Sequence, residues 1–258
     1  MKAVMEVRKL CKSFGGIQAV TDVSFKVEEG QMLALIGPNG AGKSTCFNML
    51  MGQLPATSGE VFLGDENLHG LTPRDIWRRG VGRTFQITAT YQSMTVVENV
   101  QMALMSFHRR LFKVLCYAHK QYRDQALELL ALVGMENQAD RHCAILAYGD
   151  LKRLELAIAL SNSPKLLLMD EPTAGMAPKE RIALMQLTGD IVKQRKISVL
   201  FTEHDMDVVF AHAHKIMVLN RGKLIASGSV DHIRNDAKVQ EVYLGGGSLY
   251  ASKESSNA

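Results

Sequence analysis

The stretch LALIGPNGAGKST, residues 33–45, decides the fold class of this chain. A short apolar run leads into a glycine-rich turn that ends in Lys43 and Ser44. The run predicts a strand buried on both faces. The pattern of glycine, four residues, glycine, lysine and serine predicts a loop whose backbone N–H groups cradle phosphate at the start of a helix. The stretch therefore predicts nucleotide binding on an α/β domain with a mainly parallel sheet.

Each position of this phosphate-binding loop has an expected contact. Lys43 should reach the outer phosphates and Ser44 should ligate Mg²⁺, while the glycine-rich turn points backbone N–H groups at phosphate oxygens. A chance glycine-rich turn is the alternative, and the strand and helix contexts on either side argue against it. The predicted nucleotide-contacting residues are Gly37, Pro38, Asn39, Gly40, Ala41, Gly42, Lys43, Ser44 and Thr45.

A second apolar run, LLLMDEPT at residues 166–173, ends in two carboxylates. Asp170 is expected at the carboxyl end of a buried strand, where a carboxylate can hold Mg²⁺. Glu171 follows directly and is placed to accept a proton from an attacking water. An acidic pair that merely caps a helix is the alternative, and the phosphate-binding loop upstream makes it the weaker one.

The rest of the chain predicts one domain with an insertion. ISVLFTEH (197–204) predicts another buried strand, and KIMVLNRGKLIASGS (215–229) predicts a β-hairpin that turns at Asn220, Arg221 and Gly222. We expect a nucleotide-binding domain over residues 1–245 with an N-terminal antiparallel β part, and a flexible tail over residues 246–258.

Helical spacing marks the insertion, a mostly helical subdomain over about residues 88–160. In QALELLALVG (125–134), Leu127, Leu130 and Ala131 are predicted to share the buried helix face.

Composition excludes several classes of protein. With 258 residues, 47% hydrophobic and 22% charged, the chain is typical of a soluble globular protein. The net charge of +4 is spread along the chain, so we expect no nucleic-acid partner. No apolar run approaches the roughly 18–20 residues of a membrane-spanning helix. Four cysteines lack metal-ligand spacing and suit a reducing cytosol: Cys11, Cys46, Cys116 and Cys143.

Taken together, the motifs resemble the ATP-binding subunits of ABC transporters over nearly the whole chain. Phe14, in SFGGIQAV, matches the aromatic residue that stacks on adenine, and Gln86, in GRTFQ, matches the glutamine that touches Mg²⁺ and couples to the membrane subunits. His204, in FTEHD, matches the histidine that contacts the γ-phosphate. Each has a plainer interpretation when taken alone, as a core aromatic residue, a surface amide and a satisfied histidine.

The resemblance also gives a role to LAYGD, residues 146–150, which stands where the family has its signature. In the family this segment closes on the ATP held by the opposite subunit, which implies that Ala147, Tyr148 and Gly149 contact the partner chain's ATP. Gly149 lacks a Cβ, which lets backbone N–H groups approach phosphate at a helix N-terminus. The helix that follows is also expected to be an amphipathic core helix with three inward residues, Leu151, Leu154 and Ile158.

Four segments are most similar to the branched-chain amino acid and urea importer branch: LAYG, GRTFQI, EPTAGM and VQEVYLGGG. The resemblance implies an ATPase with ATP and Mg²⁺ as cofactors and a place on the cytoplasmic face of the membrane. It implies as partners a second ATPase subunit, two transmembrane permeases and an external substrate-binding protein. The implied catalytic residues are Lys43, Gln86, Glu171 and His204, and the implied metal ligands are Ser44, Gln86 and Asp170.

One residue departs from the family pattern, and three other functions remain as alternatives. Ala177, in the loop AGMA (174–177) that matches the family's link between two ATP sites, replaces the usual asparagine or aspartate. The rivals are an exporter of lipid or lipopolysaccharide type, a soluble ABC ATPase acting on DNA or ribosomes, and a regulatory module without turnover. The pair HAH (212–214) does not predict a metal site, because residues i and i+2 do not share a helix face.

Overall fold

The molecule consists of two β-sheets with helices between and around them. Its structure is a computed structural model that describes residues 2–84, 90–108 and 122–244. The strands of the described ranges are β1 (Ala3–Phe14), β2 (Ile17–Glu28), β3 (Met32–Ile36), β4 (Ser58–Leu63), β5 (Glu66–Asn67), β6 (Val81–Thr84), β7 (Leu166–Asp170), β8 (Ser198–Thr202), β9 (Lys215–Asn220) and β10 (Lys223–Gly228). The helices there are α1 (Lys43–Leu50), α2 (Pro73–Arg78), α3 (Val96–Phe107), α4 (Arg123–Leu132), α5 (Tyr148–Ala159), α6 (Pro178–Arg195), α7 (Met206–His212), α8 (Val230–Asn235) and α9 (Ala237–Leu244).

The larger sheet has six strands in the order β10-β9-β3-β8-β7-β6, and all are parallel except β10. Every residue of β3, β7 and β8 is buried, as continuous apolar runs require when both faces of a sheet are covered. The strands predicted at residues 33–37, 166–171 and 197–204 are therefore confirmed. Because these three strands are adjacent and parallel, their carboxyl ends meet at one edge of the sheet.

The two faces of this sheet belong to two cores. Along β3, Leu33 and Leu35 pack with the smaller sheet and α1, whereas Ala34 and Ile36 pack with the helices of the opposite face. The smaller sheet is antiparallel, in the order β2-β1-β4-β5. The predicted combination of a mainly parallel core and an N-terminal antiparallel part is confirmed.

Among the described residues between β6 and β7 are the helices α3, α4 and α5, in the region for which helical spacing predicts a helical subdomain. The predicted face of α4 is wrong in one residue, since Ala131 is exposed while Ala126, Leu130 and Val133 are fully buried. The helix packs along a face centred on Leu130, and a step of one residue turns Ala131 about 100° away from it.

The amphipathic prediction for α5 is also too simple. Leu154 is buried, but Leu151 and Ile158 are only partly so, and Lys152 and Glu155 are buried as an ion pair with 3.0 Å between Nζ and Oε2. The cause is position, because α5 packs against α3, α4, α6 and β6 together. A helix enclosed on several sides loses the single polar face on which the pattern rule depends.

The hairpin predicted at residues 215–229 is confirmed as β9 and β10. Arg221 and Gly222 have φ of 46° and 76°, the left-handed pair typical of a tight hairpin turn. Over the described ranges, no helix has the length and apolar character needed to cross a bilayer. The tail predicted at residues 246–258 lies outside the described residues.

Candidate functional site

A cavity of about 200 Å³ opens at the carboxyl edge of the larger sheet. Residues 39–45 line it together with Ala19, Glu171 and His204. Glycine is required where the loop meets its neighbours. A Cβ on Gly37 would lie 2.1 Å from the carbonyl oxygen of Leu219, and one on Gly42 would lie 2.6 Å from that of Ala19. The predicted phosphate-binding loop thus borders a concave space of its own.

Lys43 lies at the base of this cavity and is 7% exposed. Its ammonium donates to the carbonyl oxygens of Gly37 at 2.7 Å and Pro38 at 3.2 Å, and an ammonium has three donors. Burial lowers the pKa of Lys43 from its ordinary value, and the negative charges of Glu171 and Asp170 oppose that shift. The result is a sheltered cation that lines the cavity and is attracted by two carboxylates.

Asp170 ends β7 and is held at both carboxylate oxygens. The Thr202 hydroxyl donates to Oδ1 at 2.8 Å, and the Arg83 guanidinium lies 3.5 Å from Oδ2. Arg83 also donates to the side chains of Asn48 at 3.2 Å and Gln53 at 2.6 Å. The carboxylate therefore has a defined orientation, and Arg83 ties it to α1 through Asn48 and to the segment after α1 through Gln53.

Glu171 has a backbone conformation that side-chain-bearing residues rarely adopt, with φ of 48°, at a cost of about 1–3 kcal/mol. Its N–H holds that conformation by donating to the Thr202 carbonyl at 3.2 Å and the Thr202 hydroxyl at 3.0 Å. The Glu171 carboxylate lies 2.8 Å from Nε2 of His204. The structure thus brings the predicted proton acceptor and the predicted histidine into direct contact at the cavity.

Glu203 is a site residue that the motifs did not predict. It is 4% exposed, and its Oε1 accepts from both the N–H of Thr173 at 2.9 Å and its hydroxyl at 2.7 Å. Its Oε2 accepts from the N–H of His204 at 3.2 Å. Glu203 therefore clamps the loop after Glu171 to the histidine loop.

The sequence motifs did not predict Arg83, Thr202 or Glu203 as site residues, and the reason is the same for all three. Each is part of a quoted motif, GRTFQ or FTEHD, but Arg83 and Thr202 contact Asp170 of β7, and Glu203 contacts Thr173 in the loop after that strand. The local signal for Thr202 and Glu203 is that two polar residues follow the apolar run VLF.

Ala147, Tyr148 and Gly149 stand at the start of α5 and do not line the cavity of their own chain. The Tyr148 hydroxyl donates to the carbonyl oxygen of Ala174 at 3.1 Å. Gly149 is buried, and a Cβ there would lie 3.1 Å from Oε1 of Glu180. Glu180 of α6 thus supplies a reason within the chain for glycine at this position.

Phe14 lies at the tip of the β1–β2 hairpin and is 48% exposed, with the Lys12 ammonium 5.1 Å from its ring centroid. The interpretation as a core residue is therefore wrong, because the hairpin tip projects the ring beyond both cores. Gln86 lies outside the described residues.

Within the described ranges, no three His, Cys, Asp or Glu residues are grouped to hold a metal ion. His214 of the HAH pair accepts from the Met32 N–H through Nδ1 at 2.8 Å.

A phosphate-binding loop after one strand, a carboxylate pair after a second and a histidine after a third define a nucleoside triphosphatase. The family model described as "ABC transporter" matches residues 20–174, and a second, described as "Branched-chain amino acid ATP-binding cassette transporter", matches residues 223–248. The chain belongs to the ABC transporter family, and it is an ATP-binding and ATP-hydrolysing subunit.

Individual relatives agree with this assignment. The chain is 38% identical over 251 residues to the high-affinity branched-chain amino acid transport ATP-binding protein BraF of Pseudomonas aeruginosa, covering 95% of this chain and 98% of that one. The crystal structure of an ATP-binding cassette in its ADP conformation aligns with a TM-score of 0.85 at 28% identity, covering 95% and 100% of the two chains. A dimeric cassette bound to ADP and phosphate aligns at 0.74 and 25% identity, covering 88% and 98%.

Proposed function

We propose that this subunit powers the import of branched-chain amino acids, or of a related small polar solute, from the cytoplasmic face of the membrane. The carrying observation is that the match to the branched-chain amino acid family model lies at residues 223–248, outside the region shared by ABC transporters at large. The likeness to BraF over 95% of this chain supports it. Neither comparison favours an exporter or a soluble ATPase.

In this proposal the cavity receives the phosphates of ATP. Backbone N–H groups of residues 39–45 bind them, and the sheltered ammonium of Lys43 donates to the outer phosphates. Phe14 is exposed at the hairpin tip, where a ring is available to stack on adenine. Phe14 ends β1, and Ala19, which lines the cavity, lies near the start of β2, so the β1–β2 hairpin can contact both base and phosphates.

The donor set also fits Mg²⁺, a hard cation that prefers oxygen ligands. Ser44 lies on the cavity wall, and Asp170 presents a carboxylate whose orientation is set by Thr202 and Arg83. These two residues, with Gln86, would hold the ion, which would neutralise charge on the β- and γ-phosphates. The preset orientation of Asp170 lowers the reorganisation needed when the ion binds.

We assign Glu171 as the acceptor of the proton from the attacking water. His204, 2.8 Å away, orients that carboxylate and contacts the γ-phosphate. The strained backbone of Glu171 is held by Thr202, which keeps the carboxylate at the cavity rather than in the sheet.

A second ATPase subunit completes each site in this proposal. Ala147, Tyr148 and Gly149 are outside the cavity of their own chain, as residues that serve a partner's ATP would be. Two permease subunits would dock near Gln86 and the exposed residues Tyr91, Gln92 and Ser93, and an external substrate-binding protein would deliver the cargo.

Transport by the assembled complex tests the proposed function. The chain is purified from membranes with its partners, the partner chains are identified, and the complex is reconstituted in proteoliposomes. We expect two permeases, a binding protein encoded nearby, and ATP-dependent uptake of labelled leucine, isoleucine or valine. Co-purification with an export machinery, or ATP-dependent movement of lipid without amino-acid uptake, would contradict the proposal.

Glu171→Gln tests the assigned proton acceptor in the same preparation. The change is nearly isosteric, so ATP affinity should be retained, while the rate of hydrolysis should fall by about 10²–10⁴-fold because the acceptor is lost. The closed dimer with bound ATP should accumulate, which gel filtration with ATP can detect. Hydrolysis near the wild-type rate would remove Glu171 from this role.

A further inference from the structure

Asn99 is a buried polar residue of α3, 3% exposed, whose side chain joins three segments. Its Oδ1 accepts from the Tyr91 N–H at 2.8 Å. Its Nδ2 donates to the carbonyl oxygens of Tyr91 at 3.1 Å and Thr95 at 2.9 Å, and to Sγ of Cys143 at 3.1 Å. Cys143 is 44 residues away along the chain, so the amide connects α3 to a distant segment.

Backbone hydrogen bonds run parallel to this connection. We call residues 91–97 the leading segment and residues 139–143 the pre-signature segment. Between them, Val96 N–H donates to Arg141 O at 2.9 Å, Val97 N–H to Ala139 O at 2.8 Å, and Cys143 N–H to Met94 O at 3.0 Å. With the Asn99 bonds, the two segments form one hydrogen-bonded unit that is expected to move as a body.

The two ends of this unit face different parts of the proposed transporter. The leading segment starts with Tyr91, which is 58% exposed and lies five residues after Gln86. The pre-signature segment ends four residues before Ala147, the first residue of the start of α5 that is proposed to meet the partner's ATP. A second contact, from Gln138 Nε2 to Asp150 Oδ2 at 3.2 Å, ties the same region to α5.

We propose that Asn99 is a positioning residue that transmits movement of the permease-facing leading segment to the signature at the start of α5. This inference rests on the proposed function, since it takes the surface around Tyr91 as the permease contact. A permease that displaces the leading segment displaces the pre-signature segment with it, because Asn99 bonds both. The signature then moves relative to the partner's phosphates, which links transport to hydrolysis.

The choice of asparagine supports a specific role over simple packing. A buried helix position without such a role is normally apolar, and neighbouring Val100 is fully buried in the core. An amide can accept through its oxygen while its two N–H donors are shared among neighbouring acceptors, which here are the carbonyl oxygens of Tyr91 and Thr95 and the Cys143 sulfur. Tyr148 of the signature keeps its hydrogen bond to Ala174 without any contribution from Asn99, so the substitution of Asn99 leaves that contact in place.

Asn99→Leu tests the inference, because leucine has the same branching at Cγ and makes none of the hydrogen bonds. In the reconstituted transporter, the stimulation of ATP hydrolysis by the permeases should fall about fivefold. The KM for ATP and the rate of the unassembled subunit should stay within twofold of wild type. Hydrogen exchange in the isolated subunit should rise in the leading and the pre-signature segments together.

Val100→Ala is the matched control, since it removes buried volume from the next position of the same helix. It should lower the melting temperature but keep the wild-type stimulation, whereas a merely structural role of Asn99 would make both variants behave alike. A second pair of variants tests the hydrogen bond from Asn99 to the Cys143 sulfur. Cys143→Ser retains an acceptor for Asn99 and should keep the coupling between permease and ATP hydrolysis. Cys143→Ala should lose part of that coupling.

Two failures are distinguishable. A wild-type subunit that assembles with no permease would overturn the proposed function and this inference with it. A wild-type subunit that is stimulated by permeases, alongside an Asn99→Leu variant stimulated equally, would overturn the inference alone. Exchange that rises in only one of the two segments would also overturn it.

Discussion

Two neighbouring carboxyl groups of the site have opposite environments at the scale of single residues. Glu171 has 20% of its side chain exposed, contacts His204 and lines the cavity. Glu203 is 4% exposed, and burial raises its pKa above the ordinary 4.5, while hydrogen bonds from Thr173 and His204 oppose the rise. The first group is suited to chemistry and the second to holding two loops together.

The raised pKa of Glu203 predicts a pH dependence of stability. A carboxyl whose folded pKa is raised stabilises the fold fully below its unfolded value of 4.5, and this contribution is lost as pH rises through the folded pKa. The difference in unfolding free energy between wild type and Glu203→Gln should therefore shrink as pH rises above 4.5. Glu203→Gln should itself cost about 1–3 kcal/mol, because a donor replaces the acceptor facing the His204 N–H.

Thr173→Val is a control that should enlarge the pH dependence of stability, whereas Glu203→Gln should remove the contribution of this carboxyl. Removing the hydroxyl that lowers the pKa of Glu203 should extend the pH-dependent loss of stability to higher pH. Urea unfolding at a series of pH values measures all three proteins. A difference between wild type and Glu203→Gln that stays constant or grows with pH would show that the carboxyl is not held as described.

The phosphate-binding loop shows how an element is shaped by what packs against it. Gly40 and Gly42 both have left-handed φ, at 77° and 105°. They differ in surroundings, since a Cβ on Gly40 would meet nothing within 4 Å, whereas one on Gly42 would lie 2.6 Å from the backbone oxygen of Ala19 on β2. Only the second glycine is required by the tertiary packing of the loop against β2.

This difference predicts unequal effects of two matched substitutions. Gly40→Ala should cost about 1–2 kcal/mol, the strain of a left-handed alanine. Gly42→Ala should cost more and should weaken ATP binding at least tenfold, because β2 and the loop must separate. Denaturant unfolding without nucleotide and titration with a fluorescent ATP analogue check both effects. Equal destabilisation by the two variants would contradict the packing described for Gly42.

At the scale of the whole molecule, the cavity and the proposed signature residues are separate. The cavity is lined by the phosphate-binding loop, Ala19, Glu171 and His204, while Ala147 and Tyr148 lie exposed at the start of α5. Tyr148 instead contacts Ala174, three residues after Glu171. The segment proposed to serve the partner's ATP is therefore hydrogen-bonded to the loop that follows Glu171, the proposed proton acceptor of its own chain.

A mixed dimer tests the proposed sharing of sites between chains. Lys43→Ala removes the phosphate-binding cation, and Ala147→Asp adds negative charge near the partner's phosphates while supplying α5 with a favourable N-cap. Each variant alone should be nearly inactive. In their mixture one site carries both changes and the other carries neither, so ATPase activity should partly return.

Recovery would be impossible if the signature acted within its own chain, because every site would then keep one change. Crosslinking establishes first that the mixed dimer forms, since without it a lack of activity has another cause. If this chain pairs with a homologous subunit instead of itself, the two substitutions are divided between the two chains.

The local sequence determined those parts of the structure that depend on residues close together in the chain. The phosphate-binding loop, the three buried strands and the β9–β10 hairpin follow from residues within about a dozen positions, because turn geometry and strand burial depend on neighbouring side chains. The same rules misplaced Ala131 on α4 and underestimated the burial of α5, since a face is buried only where another element covers it.

Tertiary structure alone decided which groups meet. Arg83 with Asp170, Thr173 with Glu203, and Asn99 with Cys143 are 30 to 87 residues apart along the chain. Their contacts depend on the order of the strands in the sheet and on how α3 and α5 pack. A hydrogen bond requires its two atoms within about 3 Å, and motif spacing carries no information about distances between elements. The sequence therefore determined the chemistry available at the site, and the packing of strands and helices determined its geometry.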